Sequence, residues 1–187
     1  MSSRRAGLRK LKRLLDSHHI HYMVIGGLAN TVWGRPRYTH DAHLKVLLDE
    51  LSIVQFGELV GRHLALRRAD AVALAQRVYV LLVQVTDDLP ADLAIGFLPY
   101  EVQAVDRAVQ VKVEGVELPV CTAEDLIIHK AISERERDWQ DIEGVLLRQG
   151  HKLDQRHVET WLEEFAAGLG RPEILSRYRQ LRAQLNL

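Results

Sequence analysis

The sequence predicts an α/β fold in which a mixed, twisted sheet is flanked by helices and followed by a helical C-terminal part. Three observations support this prediction. Short apolar runs of strand length occur before Cys121, amphipathic stretches lie between them, and only helical periodicity remains after Cys121. We therefore expect an α/β core over residues 1–120 and a helical part over residues 121–187 that packs on it.

Length and composition fit one ordinary domain, or one domain with a helical appendage. The 187 residues are 47% hydrophobic and 27% charged, which excludes a disordered or collagen-like chain. The 25 basic and 25 acidic residues give zero net charge, so a protein that coats nucleic acid is disfavoured. The single cysteine, Cys121, excludes an internal disulfide. No signal-peptide core and no membrane-length apolar run occurs, which predicts a soluble cytoplasmic protein without a membrane partner.

The first element is a basic amphipathic helix. Leu8, Leu11 and Leu15 recur at helical spacing, and six basic residues with no acid fall among the first thirteen residues. Two interpretations stay open: a solvated helix face, or a small patch that faces phosphate groups.

Strand-like runs follow this helix. The run HYMVI ends at Gly26-Gly27, and the short stretch LANTVWG after it has room for two helical turns. A weaker helical pattern covers residues 51–64. Further strands are expected at 42–48, 78–85 and 91–97, and a hairpin over 109–120 that turns at Glu114-Gly115.

Helices are predicted throughout the C-terminal part. Thr122 is a suitable N-cap residue, since its hydroxyl can accept from the free N–H groups of a first turn. The predicted helices run over 123–134, 138–148, 155–167 and 172–185. Their apolar stripes are interpreted as packing faces rather than as cofactor sites.

Three polar features lie at strand ends, where α/β proteins place their sites. Gly26-Gly27 is either a tight strand-to-helix turn or a place where backbone N–H groups approach a phosphate. Asp41 and His43 are two residues apart on a strand, so their side chains share a face and can converge on one ion. Asp92 interrupts an apolar strand, and a buried carboxylate needs either a cationic partner or a metal.

Taken together, these features resemble the nucleotidyltransferase superfold of polymerase-beta-like enzymes, and in particular the AbiEii-like bacterial nucleotidyltransferases. The resemblance begins with YMVIGGLANTVWGRPRYTHD, continues with LPADLAIGFLPYE and ends with CTAEDLIIHKAISERERDWQDIEGVL. Three ordered segments carry it, so it extends along most of the chain. It implies that a nucleoside monophosphate moves from a nucleoside triphosphate to a hydroxyl acceptor, with Mg²⁺ or Mn²⁺ as cofactor.

The resemblance also implies roles for individual residues. Metal would be held by Asp41 and Asp92, with His43 at the remaining ligand position, and Asp92 would be either a ligand or a base for the acceptor. The triphosphate would lie at Gly26 and Gly27. Five other residues would have further roles. Arg37 and Thr39 would lie beside the triphosphate, Lys130 would neutralise phosphate charge, and Asp138 and Asp141, on one helix face, would position Lys130 or the acceptor.

The chain departs from the family pattern at His43, where an Asp-x-Asp motif would have its second aspartate. Imidazole is a poor ligand for Mg²⁺ and adds no negative charge. Three explanations stay open: a pseudoenzyme that still binds nucleotide or a partner, an active variant that uses a softer metal, or an altered Asp-x-Asp parent. RNA, and tRNA in particular, is the favoured acceptor, and a protein hydroxyl or a small molecule such as an antibiotic is the alternative. The toxin resemblance also suggests a cognate antitoxin as partner.

Overall fold

The computed structural model describes residues 3–133 and 135–187 and divides into two compact units. The first unit contains the described residues up to Leu28 together with Tyr38–Cys121. The second contains Ala29–Arg37 together with Thr122–Leu187. The domain boundary that the sequence predicts after residue 120 stays a prediction.

A seven-stranded mixed sheet forms the centre of the first unit. Its strands are β1 (His21–Ile25), β2 (Ala42–Leu47), β3 (Ala65–Leu66), β4 (Val80–Thr86), β5 (Leu89–Gly96), β6 (Val109–Val113) and β7 (Val116–Val120). Its helices are α1 (Ser3–Ser17), the start of α2 (Gly26–Trp33), α3 (Ile53–Gly61), α4 (Ala71–Val78) and α5 (Pro99–Asp106).

The strand order across the sheet is β3-β4-β5-β2-β1-β7-β6. Strand β2 pairs in parallel with β5 and antiparallel with β1, so the chain places β2 at the centre. The register sets His43 beside Asp92 on one side and beside Ile25, the last residue before Gly26, on the other. The end of β1 and two candidate ligands therefore meet at neighbouring positions of three strands.

The two faces of the sheet differ in burial. In β4, Leu81, Val83 and Val85 are buried, whereas the alternate residues are half-exposed. Helix α1 covers the buried face, because a Cβ on Gly7 would lie 2.7 Å from Cδ2 of Leu89. Asp92 is three residues beyond Leu89 in β5 and therefore lies on the opposite, more open face.

The second unit is helical. Besides the end of α2, it contains α6 (Ala123–Ala131), α7 (Glu136–Gln149), a 3₁₀ turn (Gly150–Lys152), α8 (Gln155–Leu169) and α9 (Glu173–Gln184). The backbone N–H of Asp125 donates to Oγ1 of Thr122 over 3.1 Å, which confirms Thr122 as the N-cap of α6. Leu126, Ile142 and Leu162 are fully buried and belong to the core of this unit.

The predicted fold class is confirmed, with differences in detail. Helices α4 and α5 and the two-residue strand β3 were not predicted from the sequence. The predicted helix over 51–64 is shorter in the structure, and Glu134, the predicted end of α6, lies outside the described residues. Within the described part of the chain, no helix has both the length and the apolar character needed to cross a membrane.

Candidate functional site

Asp41, His43 and Asp92 form one cluster on the open face of the sheet. Asp41 immediately precedes β2, His43 is its second residue, and Asp92 lies beside His43 in β5. One ligand atom from each of the three side chains lies within 4.8 Å of the others. The carboxyl groups of Asp41 and Asp92 therefore lie close enough to share one ion.

The imidazole of His43 lies between the two carboxylates. Its Nε2 is 2.9 Å from Oδ2 of Asp41 and 3.4 Å from Oδ2 of Asp92. Oγ1 of Thr39 donates to Oδ1 of Asp41 over 3.3 Å. All three cluster side chains are about one third exposed, at 36%, 30% and 29%, so an ion or a phosphate group can reach them from solvent.

The cluster shifts its own protonation equilibria. The hydrogen bond with Asp92 raises the pKa of His43 above its ordinary value, burial opposes this, and the charges of Asp41 and Asp92 add to the rise. Partial burial raises the pKa of Asp41, but the charge of His43 and hydrogen bonds from His43 and Thr39 outweigh it and lower that pKa overall. A protonated His43 thus compensates part of the negative charge of the two carboxylates.

The glycine pair lies directly against this cluster. Gly26 has φ of +65°, and a Cβ there would lie 2.8 Å from Nδ1 of His43. A Cβ on Gly27 would lie 2.7 Å from Cβ of Thr39 and still closer to its hydroxyl. Helix α2 begins at Gly26, so the N–H groups of its first turn have no partner within the helix and are suited to phosphate oxygens.

The other predicted site residues form a second cluster within the second unit. Nζ of the buried Lys130 is 2.7 Å from Oδ1 of Asp138 and 2.7 Å from Oδ2 of Asp141. Arg37 donates two hydrogen bonds to the carboxylate of Asp141, over 3.0 and 2.8 Å. Nε of Arg135 also donates to Oδ2 of Asp138 over 2.7 Å, so three cations balance the two buried carboxylates.

Burial is the largest single influence on the pKa values of these two aspartates, but their hydrogen bonds and cationic partners together outweigh it. Burial raises the pKa of Asp138, but hydrogen bonds from Lys130 and Ser133 outweigh it and hold the pKa below its ordinary value. Burial acts in the same way on Asp141, where hydrogen bonds from Arg37 and Lys130 lower the pKa overall. Both carboxylates are therefore ionised and firmly held at neutral pH.

Several polar residues that contact these clusters, Arg67 and Asn30 among them, were not identified from the sequence. Arg67, just after β3, has Nη1 2.9 Å from Oδ1 of Asp92. Asn30 is fully buried in α2 and donates to Oδ1 of Asp141 over 3.1 Å. Asn30 was detectable as a polar residue in a short, mostly apolar helix, whereas Arg67 reaches Asp92 only through the pairing of β3, β4 and β5.

No protein-family model matches the chain, and no curated protein sequence matches it. The solution structure of the antibiotic-resistance factor ANT(2'')-Ia is similar at a TM-score of 0.53 and 13% identity, over 100% of this chain and 99% of that one. The crystal structure of ANT(2'')-Ia in complex with adenylyl-2''-tobramycin is similar at a TM-score of 0.51 and 13% identity, over 95% and 99%. This likeness shows that the chain has a nucleotidyltransferase fold.

The donor chemistry of the Asp41 cluster fits a divalent cation. Two carboxylates supply the hard oxygen ligands that Mg²⁺ and Mn²⁺ prefer. The imidazole nitrogen of His43 suits Mn²⁺ and other transition ions better than Mg²⁺. The set as a whole therefore fits a transition ion such as Mn²⁺ better than it fits Mg²⁺.

Proposed function

We propose that the chain is a metal-dependent nucleotidyltransferase that transfers a nucleoside monophosphate from a nucleoside triphosphate to a hydroxyl group, with RNA and in particular tRNA as the favoured acceptor. One observation carries the proposal. On a nucleotidyltransferase fold, the register of β2 and β5 pairs His43 with Asp92, and Asp41 and Gly26 adjoin the same point. Carboxylates and backbone N–H groups together suit a cation and a triphosphate.

In the proposed reaction, the acceptor oxygen attacks the α-phosphorus as the bond to pyrophosphate breaks. The N–H groups at Gly26 and Gly27 bind phosphate oxygens, and the hydroxyl of Thr39 orients Asp41. Asp92 holds the cation or accepts the proton that leaves the acceptor hydroxyl. Asp41, His43 and Asp92 would hold a divalent cation, which would neutralise phosphate charge.

We assign the second cluster to phosphate charge. In this assignment, Lys130 and Arg37 would face phosphate charge, and Asp138 and Asp141 position Lys130 through the two 2.7 Å contacts. Because Lys130 is buried and paired with both carboxylates, a phosphate group would have to compete with Asp138 and Asp141 for it.

The proposed activity is tested with nucleoside triphosphates labelled at the α-phosphate. The full chain is incubated with each triphosphate, with Mg²⁺ or Mn²⁺, and with total RNA, purified tRNA or tobramycin. We expect label on RNA and faster transfer with Mn²⁺ than with Mg²⁺. Label on tobramycin alone would instead assign a small-molecule acceptor.

Matched variants decide whether the cluster performs the transfer. Asp41→Ala and Asp92→Ala are each expected to abolish transfer, whereas Asp87→Ala, which removes an exposed carboxylate from the β4–β5 turn, is expected to leave it unchanged. Transfer at the parent level in Asp41→Ala or Asp92→Ala would reject the role assigned to that residue.

A second candidate function is a protein that binds nucleotide or a partner without transfer. The contacts of His43 with both carboxylates favour it, because the imidazole occupies part of the space between Asp41 and Asp92 where an ion would lie. Triphosphate binding without transfer, with transfer gained in His43→Asp, would support this candidate.

The finer family assignment is AbiEii-like, with a toxin role in the cytoplasm and an antitoxin as cognate partner. Induced expression in a bacterial host tests it. Growth arrest by the parent chain but not by Asp41→Ala would support a toxin that acts through transfer. Normal growth with the parent chain, in a host where label is transferred in extracts, would reject the toxin role.

A further inference from the structure

A basic cavity of about 480 Å³ lies along α1 in the first unit. Helix α1 forms one wall through Arg9, Lys10 and Arg13, and His63 and Leu64, which follow α3, form the other. We call this cavity the α1 groove. None of its described lining residues is acidic, so the groove carries an excess of positive charge in a chain whose net charge is zero.

The three cations of the α1 groove are arranged along the helix. Residues 9 and 13 are one helical turn apart, which corresponds to about 6 Å along the axis. Nζ of Lys10 is 3.4 Å from the backbone oxygen of Val85, a long contact that leaves its charge uncompensated by that partner. The spacing is suited to more than one phosphate group of a single strand rather than to a single compact anion.

Aromatic and apolar groups complete the groove. The exposed His63 supplies a ring to the lining, and its centroid lies 5.5 Å from that of His18, an exposed residue at the edge of the cavity that is not part of the lining. Leu14 and Leu64 are buried and form an apolar part of the lining. Cations for phosphates together with exposed rings for bases are the combination with which proteins bind single-stranded nucleic acid.

The α1 groove is separate from the Asp41 cluster. Gly7 places α1 on the buried face of the sheet, against Leu89, whereas Asp92 and His43 lie on the opposite face. Ligands of the α1 groove therefore do not compete with the ions and phosphates that we assign to the cluster.

We propose that the α1 groove binds single-stranded RNA, with phosphate groups at Arg9, Lys10 and Arg13 and a base against His63. The inference rests on the proposed function in one respect, that RNA is the acceptor, and it assigns to the groove a part of that RNA remote from the reacting hydroxyl. A second binding surface of this kind increases the affinity for a long RNA acceptor without contacting the reacting groups.

The test measures binding of a fluorescent single-stranded RNA to the full chain by anisotropy, without triphosphate or metal. Lys10→Glu/Arg13→Glu reverses two exposed cations of the groove, and Lys152→Glu/Arg156→Glu makes the same charge change at exposed positions of the second unit. We expect the first double variant to weaken binding at least tenfold and to reduce the slope of log affinity against log salt by about 1.4. The second double variant is expected to stay within twofold of the parent.

Three further measurements separate the possible failures. Lys10→Gln/Arg13→Gln repeats the test without new negative charge, and circular dichroism checks that each variant is folded. Tripolyphosphate is added as a competitor: displacement of RNA at equal phosphate concentration would show a site for compact phosphate compounds and overturn the proposal. Equal RNA affinity of both double variants would also overturn it.

The proposed function fails in a different way. Asp41→Ala is expected to retain full RNA binding at the α1 groove even though it loses transfer. Retained RNA binding in a parent chain that transfers no label would reject the transferase and leave the groove intact. Loss of RNA binding in Lys10→Glu/Arg13→Glu, with unchanged triphosphate affinity, would support the groove independently of transfer.

Discussion

His43 lies beside Asp92 on two parallel strands, with its Nε2 3.4 Å from one carboxylate oxygen of Asp92. The same nitrogen is 2.9 Å from Asp41. The resemblance to the superfold predicts a carboxylate at position 43. The chain instead has the imidazole of His43, which pairs with two carboxylates. Replacement of this residue therefore changes the charge of the whole cluster.

The variant His43→Asp is expected to strengthen Mg²⁺ binding and to destabilise the metal-free chain. Three carboxylates at one point repel one another, and a divalent cation removes that repulsion. Thermal unfolding with and without Mg²⁺ measures both effects, and a Mg²⁺ concentration one hundred times the dissociation constant would stabilise the variant by about 2.7 kcal/mol. An unfolding temperature that does not respond to Mg²⁺ would contradict the assigned ligand set.

Arg67 is expected to limit the access of cations to Asp92. Its guanidinium is 2.9 Å from Asp92, and both side chains are about one third exposed, at 37% and 29%, so the pair contributes at most about 1 kcal/mol to stability. Arg67→Gln should therefore change stability little but increase Mn²⁺ affinity, measured by calorimetry. Arg68→Gln, at the neighbouring position whose guanidinium pairs with Asp70, is the control. A lower Mn²⁺ affinity in Arg67→Gln would contradict this role.

The strain at Gly26 predicts a coupled pair of substitutions. Gly26→Ala puts a side chain at φ of +65°, which costs about 1–2 kcal/mol, and its Cβ would also collide with the ring of His43. The double variant Gly26→Ala/His43→Ala should recover the stability that Gly26→Ala loses through the collision with the ring, but not the stability that it loses through backbone strain. Urea unfolding of the parent, the two single variants and the double variant measures this coupling. Additive losses would mean that Gly26 does not pack on His43 in solution.

Much of the fold follows from local sequence patterns. The apolar runs before Cys121 and the glycine at position 115 are strand and hairpin signals, and the structure has strands and a hairpin there. Helix α5 was not predicted, although its first residue, Pro99, is a proline, which is favoured at the first position of a helix. Strand β3 has only two residues and exists through its pairing with β4, which no local pattern reveals.

The candidate site divides in the same way. Asp41 and His43 share a face because of their spacing alone, and spacing is visible in the sequence. His43 and Asp92 are 49 positions apart in the sequence, and their proximity depends on strand order and register. Only the resemblance to the superfold predicted that proximity. The contact of Arg67 with Asp92 depends on three strands at once and could not be predicted.

Acid is expected to destabilise the chain through Asp138 and Asp141. Their pKa values are lower in the folded state than the unfolded value of about 3.9, so their stabilising contribution is complete above that value and is lost as the pH falls through the folded-state values. Urea unfolding at pH 7 and at several points below about pH 5 should show this decline. Asp141→Asn should start less stable and decline less steeply, and an equally steep decline would contradict the assignment.

Lys130 is expected to contribute more to stability than any exposed lysine. It is buried between Asp138 and Asp141, and its removal leaves two carboxylates with less compensation in a dry environment. Lys130→Met should cost about 3–5 kcal/mol, the range for breaking a buried ion pair. The control Lys152→Met, at an exposed position, should change stability by less than about 0.5 kcal/mol.

A second substitution distinguishes lost charge compensation from lost packing around Lys130. In the Lys130→Met background, Asp138→Asn removes one of the two buried carboxylate charges that lost Lys130 as a partner. It should recover part of the lost free energy of unfolding, because a neutral amide is cheaper to bury than a carboxylate. In the parent background the same Asp138→Asn should destabilise, since it breaks the 2.7 Å ion pair with Lys130. The sign of its effect should thus reverse between the two backgrounds in urea unfolding. An equal loss in both would mean that Lys130 stabilises the second unit through its aliphatic stem, and the pairing with Asp138 would contribute nothing measurable.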